Sequence, residues 1–397
     1  MSTDLEAFRA EVRAFLEAEL TDEMREAAAK STSVFTPFAP CMAWQQALAA
    51  KGWAAPRWPL EAGGCDWTDA QHDVFEAELQ AAGAPALLPH NLKMIGPLLL
   101  DLGTPEQKAK YLPGIYSGTD FWCQGYSEPG SGSDLASLKC AAVADGDDYV
   151  LNGSKTWTTY AHHANRMFLL VRTRFEGKPQ QGITFLLIDD MKTPGIEVRP
   201  IIALDGFPEQ CEVFFTDARV PRANVVGAEN DGWTVAKHLL KYERGGASPT
   251  AGLRRKLIQV QAAAEARDDG FGRRLADDPA FQERLGLLAA EVEGLDHLFR
   301  VCSPRAGGGE MDPAFPSMMK TLSADLGQSI AALMIEVAGT EGLPRQLEAL
   351  EVGSGVDPLS SDFDMLAMPF WLNARATTIY AGSNEIQRDL IARRVLG

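Results

Sequence analysis

The residues of this chain best suited to chemistry lie between Phe121 and Tyr160. Ser127-Glu128-Pro129-Gly130-Ser131-Gly132-Ser133-Asp134 has the turn chemistry of a loop that exposes backbone N–H groups and hydroxyls. Asp145-Gly146-Asp147 and Asn152-Gly153 are hairpin signals, because Gly and Asn suit positions with φ > 0. In the strand that follows, the period of two places Lys155, Trp157 and Thr159 on one face. An indole beside a hydroxyl on a rigid strand suits a flat heteroaromatic ligand that needs both stacking and a hydrogen bond. An ordinary β-sandwich hairpin with a core tryptophan fits the same residues.

Helical patterns flank this segment on both sides. Before it, Phe8, Val12, Phe15 and Leu16 form one apolar stripe and Met42 to Ala50 another; further helices follow at Asp69 to Ala82 and Asn91 to Leu102. Thr104-Pro105-Glu106-Gln107 reads as a helix start, with Thr as N-cap, Pro at the first position and Gln at the third. Short runs rich in β-branched and aromatic residues follow: Met167 to Arg172, Ile183 to Ile188, Gly195 to Pro200 and Cys211 to Ala218. From Trp233 onward the chain reads as five helical segments. The expected fold is therefore α+β and multi-domain. It has an N-terminal helical domain over 1–120, a β-sandwich or barrel-like domain over 121–230, and a C-terminal helical bundle over 231–397. The absence of βαβ alternation, and of Gly-x-Gly-x-x-Gly between a strand and a helix, argues against a Rossmann arrangement.

Composition narrows the function. A net charge of −17 in 397 residues disfavours nucleic acid or an anionic membrane as partner, since both need cationic surface. No apolar run approaches membrane-spanning length, and the N-terminus lacks the basic and apolar regions of a signal peptide, so a cytoplasmic location is expected. The six cysteines have no CxxC spacing, which favours buried thiols over a metal site or a disulfide framework. His162 and His163 are adjacent; in a strand they face opposite ways, as a surface pair does, and no metal ligand set emerges.

In the order of these elements, and in three motifs, the chain resembles the acyl-CoA dehydrogenase family over nearly its whole length. Tyr126 to Asp134 is similar to the family's first signature, Asn152 to Thr159 to its second, and Ile379 to Arg388 to its third. The resemblance implies non-covalent FAD between the β domain and the bundle, an acyl-CoA substrate, and electrons passed to an electron-transfer flavoprotein. By position, Tyr126, Ser127, Trp157 and Thr159 would meet the flavin ring, Gln124 would also bind the cofactor, and Gly132 and Ser133 would lie where pyrophosphate and acyl-CoA pass. Phe271, Ser383 and Glu385 would also contact the cofactor. Ser133, Leu240, Arg244, Tyr380 and Gly382 would contact substrate. Ser383 also suits a plain N-cap role at a helix start whose free N–H groups favour oxygen ligands.

Dehydrogenation at Cα–Cβ of a thioester needs a carboxylate for the α-proton, donors for the enolate oxygen, and a flavin N5 for the β-hydride. Many family members carry the carboxylate in the third signature, where this chain has Ala381. The family's second location is the first long helix of the bundle, and there this chain has Glu243. Ala236, Leu239 and Leu240 precede it by seven, four and three residues, so the carboxylate shares their apolar face. Such a setting should raise its pKa, which suits a base acting on a weak carbon acid. Solvated charges at a helix end before Gly245-Gly246 are the plain alternative for Glu243 and Arg244. By the resemblance, Arg244 matches an arginine near the active site, and the Ala381 backbone N–H would donate to the thioester carbonyl. The small Ala381 side chain leaves room for a long, branched or polycyclic acyl group.

Two family motifs are altered. The Arg-x-x-Phe-Gly cofactor motif appears as Asp268-Asp269-Gly270-Phe271-Gly272, with Arg267 and Arg273 as the nearest substitutes, and Gln-x-x-Gly-Gly appears as Glu336 to Thr340. These features are closer to bacterial branches that handle bulky acyl-CoA thioesters, sterol side chains included. The family implies homo-oligomers, tetramers or dimers, and some relatives are heteromers. The competing readings are an O2-using oxidase or monooxygenase, and a non-catalytic flavin-binding subunit of a heteromer.

Overall fold

The computed structural model describes residues 3–244, 250–268, 270–302, 312 and 314–397, without the side chains of Thr3, Lys241, Glu243 and Arg244. The chain forms two compact units, one of residues 1–28, 35–203 and 207–245, the other of residues 29–34, 204–206 and 246–397.

The first unit begins with helices α1 (Thr3–Glu19), α2 (Asp22–Ala29), α3 (Phe38–Lys51) and α4 (Asp69–Ala81). A π-helical turn, His90–Ile95, then runs into α5 (Gly96–Leu102), and α6 (Pro105–Ser117) follows. The expected start of α6 is a capping box: Thr104 Oγ1 accepts from the Gln107 N–H and Gln107 Oε1 accepts from the Thr104 N–H, both at 3.2 Å.

Seven strands follow: β1 (Trp122–Gly125), β2 (Ala141–Asp145), β3 (Asp148–Thr159), β4 (Arg166–Arg172), β5 (Ile183–Ile188), β6 (Ile196–Ile201) and β7 (Gln210–Pro221). They make one sheet of order β1-β4-β2-β3-β7-β6, with β5 beside β4. Their sequences explain where the sheet is buried. β4 and β5 are continuous apolar runs because both faces are covered. Phe168, Leu170, Ile183, Phe185 and Leu187 join Trp44, Leu98 and Trp122 in the core under the helices, while Met167, Leu169, Val171, Leu186 and Ile188 line the other face with Tyr149, Val213 and Phe215. β6, with one polar face, alternates. Helix α7 (Gly232–Arg244) closes this unit, burying Val235, Ala236 and Leu239 in the helical core.

The β2–β3 hairpin turns at Gly146-Asp147, with Gly146 at φ 62° as its sequence requires. Asn152-Gly153 is not a hairpin. Both residues lie inside β3, opposite a bulge in β7 where Asp217 takes φ 50°; Asn152 Nδ2 donates to Asp217 Oδ1 at 3.0 Å. The positive-φ signal is real, but it serves a bulge on the partner strand rather than a chain reversal. His162 and His163 sit in the turn after β3, their ring centroids 4.1 Å apart, so the opposite-facing strand geometry expected of them does not apply.

The second unit is a helical bundle: α8 (Thr250–Glu265), α9 (Pro279–Cys302), α10 (Phe315–Ala338), α11 (Leu347–Leu350), α12 (Asp362–Ala374) and α13 (Asn384–Leu396). α10 is the central element, packing against α8, α9, α12 and α13, and its Ile330, Leu333, Met334 and Val337 meet Leu257, Val260, Phe281 and Val292. Sequence patterning does not single out α12, whose interior contains Pro369.

Candidate active site

The residues expected to hold a flavin fall in both units, and each set is built locally. In the first unit, β1 delivers Gln124 and runs into the loop carrying Tyr126, Ser127, Gly132 and Ser133. Tyr126 lies edge-on to Phe168 and Phe185, at centroid distances of 6.1 and 6.4 Å, which seats it on the helical core. Gly132 and Ser133 are exposed, and a Cβ built on Gly130 or Gly132 meets no atom within 4 Å.

Trp157 and Lys155 do not share a face. Between Lys155↔Val213 and Thr158↔Cys211 the pairing shifts by one residue, a bulge in β3 with Trp157 at φ 58°. The bulge resets the strand's alternation. Lys155 is 0% exposed, Trp157 is 61% exposed, and Thr158 is buried again. The core-tryptophan alternative is thereby excluded, since the indole stands out from the sheet on a backbone conformation that a Trp adopts only under constraint. Thr159 follows, half-buried, at the end of the strand.

The loop and the strand are joined. Thr156 N–H donates to Ser127 O at 2.9 Å, and Lys155 Nζ donates to Glu128 Oε1 at 2.7 Å and to Tyr126 O at 3.2 Å. Lys155 and Glu128 are functional candidates that motif spacing does not reveal. The available signal is an acid in the first motif and a base in the second, and its meaning depends on burial.

Glu243 and Arg244 occupy the last turn of α7, and their side chains lie outside the described residues. The turn itself is anchored. His238 Nε2 lies 2.7 Å from Asp101 Oδ2 on α5, and the Tyr242 hydroxyl donates to the same oxygen. Burial, followed by the Asp101 carboxylate, pushes the Tyr242 phenol above its usual pKa. Burial works against the Asp101 charge, yet hydrogen bonds from Tyr242 and His238 leave its carboxyl below the ordinary value. Leu240 is half-buried on the same helix, beside the buried Leu239.

In the second unit, Tyr380, Ala381 and Gly382 form the turn into α13. Ala381 takes φ 52° and Gly382 φ 79°. Gln387, one turn into the helix, donates from Nε2 to Ala381 O at 3.0 Å and to Gly382 O at 3.4 Å. Among the described residues the Ala381 N–H meets no acceptor. Ser383 is the N-cap, accepting from the Ile386 N–H at 3.4 Å. Glu385 is exposed in the first turn, where its own backbone N–H and the Ser383 hydroxyl hold its carboxyl below the usual range. Buried Asn384 fixes the helix start on α10, accepting from Lys320 Nζ and donating to Asp325 Oδ1, each at 2.9 Å. Phe271, after α8, is 91% exposed. Glu336 pairs with Arg284, Asp268 Oδ1 accepts from the Gly270 N–H, and Arg267 is engaged by Asp364.

Comparison with known proteins shows the family. Models of the acyl-CoA dehydrogenase N-terminal, middle and C-terminal domains match residues 2–119, 123–218 and 230–396. Acyl-CoA dehydrogenase IpdE1 of Mycobacterium tuberculosis is 36% identical over 404 residues, covering 99% of this chain and 98% of that protein. Acyl-CoA dehydrogenase FadE26 of the same organism is 32% identical over 402 residues, covering 99% and 96%. Among solved structures, the ChsE4-ChsE5 complex from Mycobacterium tuberculosis superposes with TM-score 0.80 at 31% identity, covering 100% of this chain and 98% of that one. The Tcur3481-Tcur3483 steroid ACAD superposes with TM-score 0.81 at 29% identity, again covering 100% and 98%. The matches span all three domains and the motif loops on both units: the chain belongs to the acyl-CoA dehydrogenase family and is an FAD-dependent oxidoreductase acting on a CH–CH bond.

Proposed function

We propose that the protein oxidises a bulky acyl-CoA thioester to its trans-2-enoyl-CoA, with Glu243 as the base and an electron-transfer flavoprotein as the electron acceptor. The observation carrying this reading is the alanine at position 381, together with a carboxylate one turn beyond the buried Ala236–Leu239 face of α7. The residues present fit a flavin: an outward indole at Trp157, a loop with open space over Gly130 and Gly132, and a Ser383-capped helix start. Tyr126, Ser127, Trp157 and Thr159 would hold its ring, and Ser383 and Glu385 would hold a further part. When bound, FAD supplies the acceptor for the β-hydride.

The chain's own residues do the rest. Glu243 accepts the α-proton. The unpartnered Ala381 N–H donates to the thioester oxygen, stabilising charge as it develops. Gln387 holds the Ala381 and Gly382 carbonyls and so fixes the orientation of that turn. Arg244 lies near the substrate. The names of two structural relatives each join two chains, ChsE4-ChsE5 and Tcur3481-Tcur3483, and one of them is called a steroid ACAD. They favour a second reading in which this chain acts within a heteromer on a polycyclic acyl group.

Anaerobic bleaching of the oxidised flavin band by a panel of acyl-CoA thioesters tests the proposal, with wild type set against Glu243→Gln. Wild type should bleach fastest with bulky acyl groups, and the variant should bind thioester without bleaching. A Glu243→Gln protein that bleaches at the wild-type rate would remove Glu243 as the base, and a preference for short straight chains would remove the substrate assignment. A wild type that holds flavin but bleaches with none of the thioesters would favour the heteromer.

A further inference from the structure

Lys155 is a fully buried cation, and a buried charge is tolerated only when it is paired and hydrogen-bonded. Its partners all belong to one loop. Nζ donates to Glu128 Oε1 at 2.7 Å and to Tyr126 O at 3.2 Å. Glu128 in turn accepts from the N–H groups of Lys139 at 2.7 Å and Cys140 at 2.9 Å, where the loop ends and β2 begins. From the neighbouring strand Arg172, itself buried, donates to Ala136 O at 2.7 Å and to Leu138 O at 3.1 Å. The entrance, body and exit of the loop are thus tied to β3 and β4 by charged side chains.

The sheet does not need this pair, because β3 is held to β2 and β7 by backbone pairing. Replacing a buried ion pair with packed apolar side chains of similar volume is often neutral or stabilising. The pair does, however, set a direction. Lys155 takes the Tyr126–Ser127 peptide by its carbonyl, and in a trans peptide the N–H points the opposite way. The Ser127 N–H is therefore turned to the far side of the loop, where it meets no acceptor among the described residues. A carbonyl bound by an ammonium also polarises its peptide, which makes that N–H a stronger donor.

We propose that Lys155 and Glu128 are positioning residues that preform the Tyr126–Cys140 loop and present the Ser127 N–H to the flavin; this rests on the flavin reading of the site given above. Glu128 fixes the height of the loop over β3, and Lys155 fixes the rotation of the Tyr126–Ser127 peptide.

Two measurements on the full chain test it. The first uses wild type stripped of flavin and follows amide hydrogen exchange. A preformed loop protects the Lys139, Cys140 and Thr156 amides before FAD is added. Exchange at unprotected rates until FAD binds overturns the proposal, and no substitution is needed to see it. The second uses the double variant Lys155→Met with Glu128→Gln, which removes both charges and leaves neither stranded. FAD affinity and the position of the visible flavin band are compared with wild type, and the melting temperature of the flavin-free protein reports folding separately. Loss of one oriented donor predicts FAD binding about tenfold weaker and a displaced band in a folded variant. A folded variant that binds FAD within about twofold of wild type with an unchanged band overturns the clamp alone. A wild type that binds no FAD overturns the flavin reading and the clamp together.

Discussion

His90 makes a quantitative prediction. It opens the π-helical turn before α5, packed 6.3 Å from Phe35 and edge-on at 5.8 Å to Phe121, and its Nδ1 is buried without a hydrogen-bond partner. Burial alone lowers its pKa from 6.5 to about 4. The folded protein therefore resists a proton that the unfolded chain accepts. Above about pH 7 neither state is protonated and the group is neutral to stability; as the pH falls from 6.5 toward 4, the unfolded state gains. With these two values the loss between about pH 7.5 and about pH 5 is roughly 2 kcal/mol. His90→Leu keeps the volume, removes the titrating group and removes the unpartnered nitrogen. Seven of the eight tryptophans lie in the first unit, so urea unfolding followed by tryptophan fluorescence reports the relevant transition. Other titrating groups cancel in the comparison of the two proteins. Between the two pH values His90→Leu should lose about 2 kcal/mol less than wild type. Parallel pH profiles would refute the reasoning, because they would mean that His90 is hydrated or partnered when folded.

Three further outcomes are expected. Ala381 is a non-glycine residue at φ 52°, so Ala381→Gly should stabilise the second unit by about 1 kcal/mol in urea unfolding; a destabilised variant would mean that the turn is not strained. Gly146→Ala meets no neighbour and should cost about 1 kcal/mol through its backbone alone, whereas Gly153→Ala brings a Cβ to 2.7 Å from Cys140 Cα and should cost about 2–3 kcal/mol more; equal losses would contradict the close approach of β3 to that residue. Trp157→Ala should change the melting transition by less than about 0.5 kcal/mol because the indole is exposed, while weakening FAD binding in a titration; large destabilisation with unchanged affinity would return the indole to a structural role.

The start of helix α13 was legible locally: Ser383 suits an N-cap, and a local hydrogen bond realises it. The Thr104 capping box and the Gly146 turn are of the same kind. β4 and β5 were legible as strands from their β-branched and aromatic runs, but what covers each face was not. The sequence pattern does not single out α12, because Pro369 marks a breaker locally, and in the fold the segment is capped by Ser361 and packed against α10.

The linear pattern of this chain determined its succession of helices, strands and helices, and the identity of the residues at three motif loops. Tertiary structure alone decided what Lys155 and Trp157 do. By period they belong on one face; in the folded sheet one is sealed against Glu128 and the other stands in solvent. Periodicity and caps act over a few residues and survive in any context. A bulge depends on the register of β7, more than fifty residues away, and a buried charge depends on an acid that reaches it only when the loop has closed.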